Sequence, residues 1–166
     1  MEMSADWLAW ALSQFDLTML FFALFFILLH LVVRKKSVPF AEVIFRWIVL
    51  FSLGFTGIYT FVMHAFFPIM SAAAIGWETS PFQFEVAMAD LSLGVLGILS
   101  FRATYGFRLA TVIASLCMLW GDALGHVKQM VINNNFTPGN AGTWFWLDIF
   151  VPLLLLLCIL NLKKSK

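Results

Sequence analysis

Five predominantly apolar stretches, each near the ~20 residues that a helix needs to cross about 30 Å of hydrocarbon, fill most of this 166-residue sequence. A segment surrounded by lipid must satisfy its own backbone, which leaves helices or a closed barrel. These runs are continuous rather than alternating, which selects helices. They span roughly 17–33, 40–67, 85–101, 109–131 and 143–162. The expected fold is therefore an all-α integral membrane bundle of five transmembrane helices. Apolar residues make up 62% of the chain and charged residues 11%, against about half and a quarter in a soluble domain. With connections this short, residues 1–166 form one transmembrane domain with no room for a separate soluble module.

The basic residues are segregated. Arg34, Lys35, Lys36, Arg102, Arg108, Lys163, Lys164 and Lys166 flank one side of the spans, Arg46 lies about two turns in from that side, and Lys128 alone is opposite. The positive-inside rule then predicts a multi-pass protein of the inner (plasma) membrane with a cytoplasmic C-terminus. Glu2, Asp6 and the 68–84 and 132–142 connections face outward. The net charge of +1 gives no reason to expect a nucleic-acid partner; membrane lipid is the expected surrounding. No Lys or Arg precedes the first apolar run, so a signal peptide is not expected. Trp7 to Phe15 instead interleaves Trp7, Leu8, Trp10, Ala11, Leu12 and Phe15 with polar residues, the pattern of a short interfacial helix before the first span. Cys117 and Cys158 lie singly inside spans, without the spacing of a disulfide or zinc knuckle.

Ionisable residues at membrane depth are costly and are kept for function by default. Here they are acids and histidines gathered toward the outer side: His64, Glu85, Asp90, Asp122, His126 and Asp148. Asp122, His126 and Gln129 stand at i, i+4 and i+7 and share one helical face. Glu85 and Asp90 are turned about 140° apart on an ideal helix. His64, Glu85, Asp122 and His126 make a nitrogen and oxygen ligand set for a divalent metal such as zinc, iron or manganese, in which Asp122 can also be an acceptor that orients His126. Gln129, Asn135, Asn140 and Asp148 are further candidates for binding a small polar ligand. A bis-histidine haem on His64 and His126 is the weaker alternative, because the neighbouring acids suit a harder ion. The bland alternative is a hydrogen-bond network that only ties the helices together. His30 fits interfacial snorkelling, Glu42 and Arg46 an i, i+4 ion pair, and Gly54/Gly57, Gly94/Gly97 and Gly121/Gly125 close helix packing.

The segments His64-Ala65-Phe66-Phe67, Ile75-Gly76-Trp77-Glu78-Thr79-Ser80-Pro81-Phe82-Gln83-Phe84-Glu85, Gly125-His126-Val127-Lys128-Gln129-Met130 and Asn135-Phe136-Thr137-Pro138-Gly139-Asn140-Ala141-Gly142 together resemble an uncharacterised family of small multi-span bacterial and archaeal membrane proteins, a domain of unknown function. The resemblance covers roughly residues 40–160 and carries no activity. It places emphasis on His64, Glu85, His126, Gln129, Asn135 and Asn140, nearly all on the side already singled out.

The leading expectation is an outward-facing pocket of His and carboxylate groups, capped by the two amide-rich loops, that binds a metal ion or a small polar ligand. Whether it is an enzyme stays open: a catalytic version would hold a metal on His64, His126 and Glu85 with Asp122 as base, while no nucleophile elbow or phosphate loop is present. One alternative is a small transporter or proton- or cation-coupled carrier using the same carboxylates. The other is a non-catalytic accessory subunit, for which a homo-oligomer or a membrane-complex partner stays open.

Overall fold

The computed structural model describes residues 7, 10–33 and 38–164, the last two by backbone alone. The Arg34-Lys35-Lys36 stop, Glu2, Asp6, Leu8 and Lys166, and the side chains of Lys163 and Lys164, lie outside the described residues. Every regular element among the described residues is helical, and five helices are long and apolar enough to cross a membrane. We number the elements α1 (Phe15–Val33), α2 (Phe40–Phe66), α3 (Pro68–Ile75), α4 (Phe82–Ser100), α5 (Tyr105–Asn133), α6 (Pro138–Ala141) and α7 (Thr143–Lys164). Large apolar side chains such as Phe21, Leu28, Val32, Leu124 and Leu157 stand on the outer surface of the bundle, where a membrane protein meets lipid rather than water. Trp7 and residues 10–13 are helical and expose Trp7, Trp10 and Leu12, as expected of an interfacial segment.

The spans run alternately between two ends. One end carries the 67–81 connection and the asparagine-rich 134–142 connection; the other carries Arg102 in the 101–104 connection and the basic α7 terminus. Proline and left-handed residues fix several helix limits. Pro68 and Pro138 occupy first-turn positions of α3 and α6, where a missing N–H costs nothing. Gly76 (φ 69°) closes α3 and Asn134 (φ 50°) closes α5, left-handed caps that glycine and asparagine tolerate best. Both connections at this end therefore contain a short helix.

Two of the three glycine pairs bring backbones together. A Cβ on Gly57 would stand 2.7 Å from Gly94 N, and one on Gly97 would stand 2.7 Å from Gly54 N, so α2 and α4 cross in direct backbone contact. Within α2, residues Val49–Phe55 take π-helical geometry at this crossing, an irregularity that side-chain or backbone packing must hold in place. Gly121 and Gly125 behave differently. Nothing lies within 4 Å of a Cβ at Gly121, and Gly125 meets only the ring of Trp77, so this GxxxG pair makes no helix crossing.

The half of the bundle nearer the basic end is a dry core of Val43, Phe45, Ile48, Val49, Val112, Leu155 and Ile159. Arg108 locks it. Its guanidinium reaches Glu42 Oε2 at 2.8 Å, Ser100 O at 2.8 Å and Phe101 O at 2.9 Å and lies over the Phe45 ring, while Glu42 also takes Arg46. The expected Glu42–Arg46 pair is thus one part of a three-membered lock, and Arg108 is a buried structural cation rather than a free flanking charge. His30 has a partner within the bundle: its Nδ1 accepts the Trp47 indole N–H at 3.1 Å. Polar side chains collect in the other half.

Candidate functional site

Each charged group in the amide-loop half is placed by a particular helix. The α2–α4 crossing at Gly57 and Gly94 sets His64 against Asp90, with Nδ1 to Oδ2 at 2.9 Å. Asp122 projects from α5 within electrostatic reach of Asp90 and His64. It makes no hydrogen bond among the described residues. Asp148, in the second turn of α7, lies within reach of Asp122, Asp90 and Asp16, and its Oδ2 stands 3.8 Å from His126 Nε2. Pro152 follows four residues later and has no N–H, which leaves the Asp148 carbonyl without its helical donor. The groups form a row, His64–Asp90–Asp122–Asp148–His126, strung across α2, α4, α5 and α7.

The protonation of His126 follows from its partners. Asn140, fully buried on α6, gives two donor contacts, to His126 O at 3.2 Å and Asn135 O at 2.9 Å. Those acceptors fix which end of the amide is NH2, and the Trp77 indole N–H at 2.7 Å fixes the other end as Oδ1. His126 Nδ1 lies 2.9 Å from that same Oδ1. It must therefore carry a hydrogen and donate it. In the neutral ring Nε2 then holds the lone pair, directed toward Asp148. A gap of 3.8 Å between a lone pair and a carboxylate is too long for a direct hydrogen bond and is open to a small positive ligand.

The two amide-rich connections meet over this end of the bundle. Asn135 Nδ2 donates to Ile75 O at 2.8 Å and Gly76 O at 3.2 Å, and the Thr137 hydroxyl donates to Asn135 Oδ1 at 2.8 Å. A Cβ on Gly139 would fall 2.0 Å from Ala74 O, so only glycine permits α6 to seat against α3. Trp77 joins the clasp to His126, with ring centroids 5.4 Å apart.

The candidates read from sequence therefore separate into groups. His126, Asp122, Asp148 and His64 belong to the row, and Asn140 positions His126. Asn135 ties the loops together. Gln129 accepts from Asn133 on its own helix. Glu85 is exposed, and no hydrogen bond or ion pair among the described residues joins it to His64 or His126. His64 and His126 each have their own partner, so the four residues considered as a metal set, His64, Glu85, Asp122 and His126, do not share one centre. Among the described residues no three His, Cys, Asp or Glu side chains form a group able to hold a metal ion by themselves. Sequence reasoning missed Asp16 and the role of Trp77. Asp16 adjoins the apolar run that begins at Leu17, and a span one or two residues longer would have included it; Trp77 stood in one of the segments of the resemblance, with nothing there to pair its ring with His126.

Comparison with known proteins adds a family and no activity. The family model described as a family of unknown function (DUF6790) matches residues 13–166. The chain belongs to that family. No curated protein and no solved structure matches the chain. The match takes in every span and both halves of the clasp, so the row and its cover lie within the part that defines the family.

Proposed function

We propose that this protein handles cations: the row His64–Asp90–Asp122–Asp148–His126 takes a proton or a small metal cation from the amide-loop side, as part of a carrier coupled to that ion. With the basic end cytoplasmic, as the Lys and Arg distribution predicts, that side is the outer face of the inner membrane. One observation carries the reading. Three carboxylates, Asp90, Asp122 and Asp148, stand within electrostatic reach of one another in low-dielectric surroundings, and the basic groups beside them are two imidazoles, His64 at 2.9 Å from Asp90 and His126 at 3.8 Å from Asp148. A purely structural network matches acceptors with donors, whereas Asp122 has no donor and Asp148 has an imidazole held at a distance. Carboxylates so placed are stable once a cation or a proton supplies the missing charge.

The His126–Asp148 gap favours a second form of the same reading, in which a divalent metal (zinc, iron or manganese) sits between Nε2 and the carboxylate and completes its shell from water or a substrate. The test separates the two. Purified protein is assayed for bound metal, then reconstituted into vesicles enclosing a pH-sensitive dye, and gradients of Na+, Mn2+ and Zn2+ are imposed in turn. The expected result is proton movement driven by at least one of these ions and lost in Asp122→Asn and Asp148→Asn. Metal-free protein whose vesicles behave as empty ones in every gradient would overturn the proposal and leave the row a structural network.

A further inference from the structure

Asp16 exposes the least surface of the carboxylates among the described residues, 2%; neither of its oxygens has a partner at full hydrogen-bonding geometry, and only the Thr143 hydroxyl and the Leu17 and Asp16 backbone N–H groups lie near enough to favour its charge. It stands in the first turn of α1, which packs against α2 and α7. Two hydroxyls lie beside it: the Tyr59 hydroxyl donates to Leu12 O at 2.7 Å, and the Thr143 hydroxyl divides itself between Asp16 and Gln14 Oε1, the latter at 3.3 Å. The titratable groups that face it from the packed helices are Tyr59 on α2 and Asp148 on α7. Neither brings positive charge. Its surroundings are oxygen-rich, with Gln14 Oε1, Thr143 Oγ1 and the Asp148 carboxylate on the same side of the bundle.

A buried carboxylate with no fully formed hydrogen bond, no basic neighbour and oxygen neighbours calls for a positive ligand that the chain does not supply. Hard oxygen donors select a hard ion, and a single extra carboxylate selects low charge. We propose that Asp16 is a second cation site, taking a small monovalent cation, a proton or Na+, at the outer end of α1 and passing its charge on to the row through Asp148. The inference extends the proposed function to α1, yet the binding itself stands on Asp16 alone.

Dicyclohexylcarbodiimide is an apolar reagent that reaches carboxyl groups inside membranes and adds to them only when they are protonated. Full-length protein in lipid nanodiscs is treated with it and the adduct at Asp16 is quantified by peptide mass spectrometry, with Asp16→Asn as the blank. For a proton site, labelling falls about tenfold per pH unit above the midpoint and ignores Na+ at fixed pH. For a Na+ site, replacing choline with Na+ at fixed pH cuts it severalfold. No adduct under any condition, or an adduct that neither pH nor Na+ alters, would overturn the proposal and make Asp16 a sealed structural group. The wild-type measurement decides even where Asp16→Asn does not fold. Vesicles separate this inference from the wider one: exchange at Asp16 without ion-driven proton movement keeps the site and removes the carrier, while undiminished movement in Asp16→Asn keeps the carrier and overturns the passing of charge from Asp16 to the row.

Discussion

At the scale of single residues, Asn140 shows how one buried amide can define the chemistry of its neighbour. Its carbonyl oxygen receives Trp77 Nε1 and His126 Nδ1, and its NH2 group serves two backbone carbonyls, so replacing it strips four partners at once. Unsatisfied buried groups cost about 1–3 kcal/mol each. Asn140→Ala is therefore expected to lower stability by several times that of an ordinary surface change and to release His126 from a single tautomer. Nitrogen-15 NMR of histidine-labelled protein reads the second effect directly. In the wild type the neutral ring carries its hydrogen on Nδ1; a wild-type ring protonated at Nε2 alone would contradict the network. The sequence exposed His126 and Asn140 as polar residues near one end but could not pair them, since they are 14 positions apart on different helices. Asp16 was hidden for another reason: a hydropathy boundary placed one residue late turns a buried acid into a loop residue.

At the scale of elements, the helix count was legible because an apolar run of span length has few other uses in a chain this hydrophobic. Which helices touch was less so. Three glycine pairs read alike in sequence, yet Gly54/Gly57 with Gly94/Gly97 form a crossing and Gly121/Gly125 do not, because a small residue permits close approach without specifying a partner. Substitution distinguishes them. Gly57→Ala places a methyl within 2.8 Å of Gly94 Cα, where backbone cannot yield as a side chain would. Overpacking of this kind costs about 1–3 kcal/mol, and it also pulls His64 away from Asp90. Gly121→Ala meets open space and gains about 0.5–1 kcal/mol of helix propensity. Thermal unfolding in one detergent should move in opposite directions for the two variants. Equal destabilisation by both would mean that α5 packs through Gly121 after all.

At the scale of the whole molecule, the two halves of the bundle divide the work along the chain's own charge pattern. The half nearer the basic end is closed by the Arg108–Glu42–Arg46 lock over an apolar core, while the other half holds acids in excess of their partners beneath a clasp of α3 and α6. An ion entering by the acidic half would meet carboxylates first and a fixed cation, Arg108, before the far side, an arrangement suited to binding at one face and resisting free passage. That argument depends on which face is which. The Lys and Arg distribution predicts a cytoplasmic basic end, so in a background lacking Cys117 and Cys158, a cysteine at Asn134 should react with a membrane-impermeant maleimide on intact cells and a cysteine at Ser165 should react only after the cells are opened. The reverse pattern would turn the molecule over, point the acid row at the cytoplasm, and require that any ion it binds be drawn from inside the cell.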